Sequence, residues 1–397
     1  MTIRFTTAGE SHGKALLAIL EGIPAGLDLV VEDVDSELRR RMAGYGRGAR
    51  MKIESDAVEF VSGVRAGETL GSPIGMLVRN RDWENWQDTM ASEPDTNPDQ
   101  PRRRRVLRPR PGHADLVGVL KYGRRDARDI LERASARETA ARVACGAVCR
   151  KLLAAFGVEI GSHVVQIGGV TAEAPGPLPM PLNESADASP VRCLDHAASQ
   201  AMVEAIDEAI KARDTLGGVA AVIVRGVVVG LGSHVSWDRK LDGRLAHAMM
   251  SIHAVKGVEI GLGFTGAGGR GSEAHDEIKQ GDNPLTGGFA RSSNRAGGLE
   301  GGITNGEPIV MRLAMKPIST LRRPLDTVNL ETGEAAQAQS ERSDVIAVPA
   351  MGVIAEAMTA VVLAQAMAEK FGGDSLAEMR RNYNGYVEQL GLPRGGE

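Results

Sequence analysis

Two periods of apolar and polar positions run along this chain and predict its elements. In 309–316 (IVMRLAMK), Ile309, Met311, Leu313 and Met315 alternate with Val310, Arg312, Ala314 and Lys316, the pattern of a half-buried strand. Continuous apolar runs at 219–229 (VAAVIVRGVVV) and 345–348 (VIAV) predict buried strands. The helical period appears after Ser135: Ser135-Ala-Arg-Glu138 reads as a capping box, Ala140, Val143, Ala144, Ala147, Val148 and Leu152 share one face, and Gly157 is the expected stop. Asp35 is expected to cap a short helix ending near Arg41. Ser199 is expected to cap another, with Val203, Ile206 and Ile210 inward and Gly217 closing it. An Ala- and Met-rich helix is predicted over 351–371, closed by Gly372. The order is irregular and lacks a steady βαβα alternation, which predicts an α+β fold. No internal repeat or linker divides the chain, so one domain over 1–397 is expected, with long surface loops near 88–105, 171–190 and 323–343.

Composition narrows the function. With 42% apolar and 25% charged residues, the chain can bury a core and is neither disordered nor fibrous. No run approaches the ~18 consecutive apolar residues of a membrane span, and MTIRFTTAGESHG lacks the apolar region of a secretory signal. Three cysteines, Cys145, Cys149 and Cys193, cannot frame a secreted scaffold, so a cytoplasmic location is expected. A net charge of −4 and only 3% aromatics argue against nucleic acid. The 49 glycines imply many turns where backbone approaches something closely. A small anionic partner fits best.

Several motifs compete for the chemistry. Gly261-Leu-Gly263-Phe-Thr-Gly266 matches a dinucleotide fingerprint, but AGGRGSEAHDEIKQ after it is no amphipathic helix, so a glycine loop is the expected reading. Cys145 and Cys149 share a helix face without further ligands, so they read as core residues and no metal is expected. The arginines say more. Arg39, Arg40, Arg41, Arg47 and Arg50 flank GYGRGAR, Arg108 and Arg110 flank PRPGHAD, and Arg133 and Arg137 bracket the capping box. Rigid turns hold such guanidinium forks ready for carboxylate or phosphate, and the helix start after Ser135 adds free amides. The run Arg102–Arg105 reads as a solvated loop. Of eight histidines, His12 (AGESHG) and His113 (RPGHAD) sit in short turns beside a carboxylate, where an imidazole can act as acid or base.

Those segments together resemble the chorismate synthase family. AGESHG (8–13), GYGRG (44–48), RPRPGHAD (108–115), ASARETAARVA (134–144), VKGVEIG (255–261), SNRAGGLEGGITNGEPI (293–309), MKPIST (315–320) and RSDVIAVPA (342–350) occur in family order. The resemblance implies a single-domain β-α-β sandwich, a homotetramer, and anti-1,4-elimination of phosphate from 5-enolpyruvylshikimate 3-phosphate to give chorismate. That reaction needs reduced FMN without net redox, and is the last common step toward aromatic amino acids. Carried over by motif, the flavin is expected at Arg133, Ala134, Ser135, His253, Ala254, Gly301, Lys316, Pro317, Ile318, Ser319, Thr320 and Arg342. Ala134 stands where many members have serine, and His253 where the pattern has Gln or Asn. Substrate is expected at Ser11, Arg41, Arg47, Arg50, Arg110 and Arg137, with Arg41 and Arg47 alternatively meeting NADPH, an electron source only. His12 is expected to protonate the leaving phosphate, His113 to hold the flavin's charge near N1, and Asp344, fixed by Arg342, to assist proton transfer at N5. A flavin oxidoreductase and a non-enzymatic anion binder are the alternatives.

Overall fold

A first antiparallel sheet forms from β1 (Arg4–Ala8), β2 (Ala15–Glu21), β3 (Val58–Ser62) and β4 (Ile74–Arg79), in the order β1-β2-β4-β3; α1 (Val31–Met42) intervenes between β2 and β3. Along β2 the side chains alternate, with Leu16, Ala18 and Leu20 buried and Leu17 and Ile19 outward, as a one-face-buried strand requires. After α2 (Asp115–Tyr122) and α3 (Thr139–Ala154), a second antiparallel sheet is assembled from β5 (Glu159–Ile167), β6 (Gly218–Arg225), β7 (Val255–Ile260) and β8 (Ile309–Met315). Its order is β7-β8-β6-β5, with Val170–Thr171 pairing on the edge of β5. The helices α4 (His196–Ala212) and α5 (Leu241–Met250) lie between these strands in sequence, and α6 (Val348–Phe371) and α7 (Leu376–Gly391) end the chain. The computed structural model describes residues 2–48, 56–94, 104–173, 175–340 and 344–391.

The architecture is α+β, as the irregular element order predicts. Helix α3 packs on α6 and on β2, while α6 also packs on β5 and β6. One cluster of buried apolar residues runs through these elements from Ile3 to Tyr383. The α3–α6 approach depends on small residues. A Cβ added at Gly146 would lie 2.4 Å from the Ala357 Cβ, so any larger residue would push the helices apart. Helix α6 is buried on nearly every face, including Glu356, whose carboxylate meets Arg40, Arg150 and Arg192. It is long and apolar enough for a membrane span, which the sequence had not predicted, yet 94% of its most apolar stretch is buried inside the protein.

Several elements differ from the sequence expectation. Residues 345–348 are not a strand: α6 begins at Val348 with Pro349 in its first turn, where the missing N–H costs nothing. Helix α1 begins at Val31, and Asp33, not Asp35, accepts the Val30 N–H (2.9 Å), while Asp35 accepts from Val58 N–H at 2.8 Å. Asp195, not Ser199, caps α4 by accepting from Ala198 N–H (3.1 Å), and the helix stops at left-handed Arg213, before Gly217. Met202, Ile206 and Ala209 therefore face inward, while Ile210 is 38% exposed. The 171–190 stretch includes a helix, Leu182–Asp187, and 323–343 a hairpin of Asp326–Val328 with Ala335–Gln337. Residues 95–103 and 341–343, and with them part of the 88–105 loop and of Arg102–Arg105, lie outside the described residues. The strand at 309–316 is realised as β8, with Ile309, Met311 and Leu313 buried. Cys145, Cys149 and Cys193 are all buried free thiols.

Candidate active site

A cavity of about 570 Å³ opens between the α3 start, the α6 start, the turns at 11–12, 47–48 and 110–114, and the segment after β8. This lies within the ~300–1,000 Å³ of small-molecule sites. Arg41, Arg47, Arg110 and Arg137 in its wall are each held by a carboxylate. Arg41, at the end of α1, donates to Thr139 Oγ1 and to the Ala136 carbonyl (each 2.9 Å) and pairs with Asp56 (3.4 Å). Arg137, in the turn that Ser135 caps, reaches the same Asp56 at 3.1 Å. The expected capping box does not form: Ser135 Oγ accepts from the Arg137 N–H rather than that of Glu138, and the Glu138 carboxylate turns to Thr7 and Arg142. Arg47 pairs with Asp344 (3.1 Å), whose second oxygen accepts the Gly48 N–H (2.6 Å). The turn that carries Arg47 requires Gly46: its φ is +74, and a Cβ there would lie 2.8 Å from Ile346 Cγ2.

Both singled-out histidines line the cavity, each on a buried carboxylate. His113 Nδ1 lies 2.5 Å from Asp115 Oδ1, and Arg110 grips the same carboxylate through Nε (2.8 Å) and Nη2 (3.0 Å) while donating to Thr320 Oγ1. Burial alone would raise the Asp115 carboxyl, but hydrogen bonds from His113 and Arg110 outweigh it and hold it well below the usual range. The sequence neighbour of His113 is thus its real partner. For His12 it is not: Glu10 is exposed, and Nδ1 instead meets Glu132 at 2.9 and 3.0 Å.

The remaining wall combines Lys316, Ile318, Ser319 and Thr320 after β8, Ala134 and Ser135 at the α3 approach, and His253 and Ala254 before β7. Lys316 Nζ donates to the Gly112 carbonyl (2.6 Å), and burial lowers its pKa. Ser135 Oγ donates to Ser11 Oγ at 3.1 Å. Ala254 is left-handed (φ +64), an uncommon conformation for a non-glycine residue. The His253 Nδ1 is buried and makes no hydrogen bond, and burial lowers the ring's pKa despite Glu138 nearby. Apolar side chains of Ile252, Met315, Met351 and Ile354 complete the lining.

Three expected residues fall elsewhere. Arg133 is partly exposed and donates to the Thr7 and Gly9 carbonyls, Gly301 sits in a hairpin turn near His234, and Pro317 is not part of the lining. Arg50 and Arg342 lie outside the described residues. Glu132, Asp56, Trp86 and Arg322 were missed, since no local pattern ties them to residues far away in sequence. The glycine-rich 261–266 match opens only a five-residue helix, Gly263–Ala267, after β7, which pairs antiparallel with β8. That is no βαβ unit, so a dinucleotide fingerprint is excluded there.

Comparison with known proteins places this cavity in a family. The family model described as chorismate synthase matches residues 3–368. Chorismate synthases of Salinispora tropica and Streptomyces coelicolor are each 57% identical, over 98% of this chain and 99% of the relative. A solved crystal structure of chorismate synthase superposes with a TM-score of 0.78 at 45% identity, covering 98% of this chain and 99% of that one. The chain therefore belongs to the chorismate synthase family, a family of lyases.

Proposed function

We propose that the cavity binds 5-enolpyruvylshikimate 3-phosphate beside reduced FMN and eliminates phosphate to give chorismate, with no net redox change. The observation that carries this reading is the convergence of four anchored arginines and two carboxylate-backed histidines on one cavity. Arg41, Arg47, Arg110 and Arg137, with Ser11, meet the substrate's phosphate and carboxylates, and their carboxylate partners hold the forks in place before binding. Arg50 joins them in this proposal. A flavin fits the residues present: the buried, unpartnered His253 Nδ1 calls for a polar ligand atom, and Ile252, Met315 and Met351 offer an apolar floor for a ring system. Ala134, Ser135, His253, Ala254, Lys316, Ile318, Ser319 and Thr320 would hold it, and Arg342 with them. Reduced flavin supplies electron density to the carbon losing phosphate.

The chain's own groups do the proton work. The C6–H and C3–O bonds break as a new double bond forms. Asp344 would assist the transfer of the C6 proton beside flavin N5, His12 Nε2 delivers one to the departing phosphate, and His113, held by Asp115, would hold the reduced flavin's charge near N1. NADPH serves only as an electron source. We assign to the same reading a single β-α-β sandwich domain, a homotetramer and a cytoplasmic location, with neither nucleic acid nor membrane as partner. An anaerobic assay with photoreduced FMN, following chorismate absorbance, tests it. Chorismate and phosphate in equal amounts are expected. NADPH oxidation without substrate consumption would favour a flavin oxidoreductase, and ligand binding without product would leave an anion binder.

A further inference from the structure

His12 is held more elaborately than a turn residue needs. Glu132 is 2% exposed, and its two oxygens face His12 Nδ1 at 2.9 and 3.0 Å. Oε2 also accepts the His12 backbone N–H (2.9 Å), and Oε1 accepts from Arg128 Nη1 (2.7 Å). Burial alone would raise the Glu132 carboxyl, yet the bonds from His12 and Arg128 keep it below the usual range, so it is ionised. On the ring's face lies Trp86, 3.6 Å between centroids and tilted by 23°. The indole is itself clamped: Nε1 donates to Asp82 (2.9 Å), and the guanidinium groups of Arg104 and Arg128 stand 4.2 and 5.3 Å from its centroid.

We infer that Glu132 and Trp86 are positioning residues for His12, fixing which nitrogen carries hydrogen and which one faces the cavity. An ionised carboxylate only accepts, so Nδ1 keeps its hydrogen in both charge states of the ring. Nε2 then carries hydrogen only in the imidazolium, and donating it to a phosphate oxygen leaves a neutral ring with Nδ1–H still on Glu132. Glu132 stabilises that imidazolium, and Arg128 keeps the carboxylate ionised. Trp86 blocks rotation about the Cβ–Cγ bond and covers the pair from water. Charged groups bearing on the ring are Glu132 and Arg128 from the 128–132 turn, Arg104 behind the indole, and exposed Glu10 in its own loop. The inference rests on His12 as the acid.

Nitrogen-15 NMR of histidine-labelled wild type tests it without any variant. The neutral His12 ring is expected with hydrogen on Nδ1; hydrogen on Nε2 would overturn the proposal. Glu132→Gln keeps the shape but removes the charge. The alkaline limb of its kcat profile is expected to move down by about one pH unit, the lower end of the effect of an adjacent opposite charge, with KM changing far less than kcat. A profile superimposable on wild type would overturn the electrostatic half. Trp86→Phe should retain most turnover and Trp86→Ala lose about tenfold at unchanged pH dependence; equal loss in both would overturn the stacking role. Intact turnover in His12→Ala would sink the acid assignment instead, a result that the labelled spectrum does not share.

Discussion

Arg47 and Asp344 lie 3.1 Å apart in the cavity wall, brought from opposite ends of the chain by Gly46, whose carbonyl accepts the Val345 N–H at 3.0 Å. The carboxylate thus orients an anion-binding fork while itself being proposed to assist the proton transfer beside flavin N5. The sequence predicts Asp344 just before a strand at 345–348, on one face of an extended chain with Arg342; there is no strand over 345–348, Arg342 lies outside the described residues, and Arg47 pairs with Asp344.

Asp344→Asn separates the two roles. The amide keeps the shape and can still accept from Gly48, so substrate KM should rise only modestly. Turnover with saturating reduced FMN should fall by roughly 10²–10⁴, the scale of general acid–base catalysis. Turnover within about twofold of wild type would leave Asp344 no part in proton transfer.

His12→Ala and His113→Ala should each lose turnover on that same scale of roughly 10²–10⁴ while far-ultraviolet circular dichroism stays unchanged. His113→Ala frees Asp115 and Arg110 to pair more closely, so its thermal stability should fall less than that of His12→Ala, which strips Glu132 and Trp86 of a partner. A near-wild-type rate in either variant would remove that histidine from the chemistry.

Gly46→Ala tests the geometry of the arginine turn. A left-handed alanine costs about 1–2 kcal/mol, and its Cβ would meet Ile346 and Ile206 below 3.0 Å. The melting temperature should drop, and KM should rise because Arg47 is displaced. Unchanged KM would show that Arg47 does not contact substrate.

The Glu356 cluster governs stability, not catalysis. Burial would raise this carboxyl, but Arg40, Arg150 and Arg192 outweigh it and hold it far below the usual range. A lowered folded-state value stabilises the protein above the unfolded pKa of about 4.3, and that contribution is lost as pH falls below it. Glu356→Ala should cost about 3–5 kcal/mol in urea unfolding at neutral pH, since buried Arg192 and half-buried Arg40 and Arg150 lose the carboxylate they share and keep only Glu37 and Asp187 at the edge of the cluster. The gap to wild type should narrow as pH falls below about 4. A gap that stays constant with pH would contradict the assignment.

Legibility followed sequence distance. The period-two pattern of β8 and the Ala-rich α6 were readable because each is decided by burial of its own residues. His113–Asp115 was readable because both lie in one turn. The His12–Glu132 pair, the Asp56 bridge between Arg41 and Arg137, and Trp86 were not, because tertiary packing alone joins them. The apolar run 345–348 misled for a related reason: Val345 and Ile346 are buried against the arginine turn, and burial without periodicity does not distinguish a strand from the approach to a helix.

Because α6 supplies Ala350, Met351 and Ile354 to the cavity and the packing surface for α3, β5 and β6, the order of synthesis matters. A chain emerging from the ribosome presents both sheets and α3 long before the helix that joins them. Until residues near Phe371 emerge, those apolar faces lack their cover and the site lacks a wall. Such long-range closure makes folding slow and late, and leaves nascent chains dependent on protection from aggregation until the last helices are made.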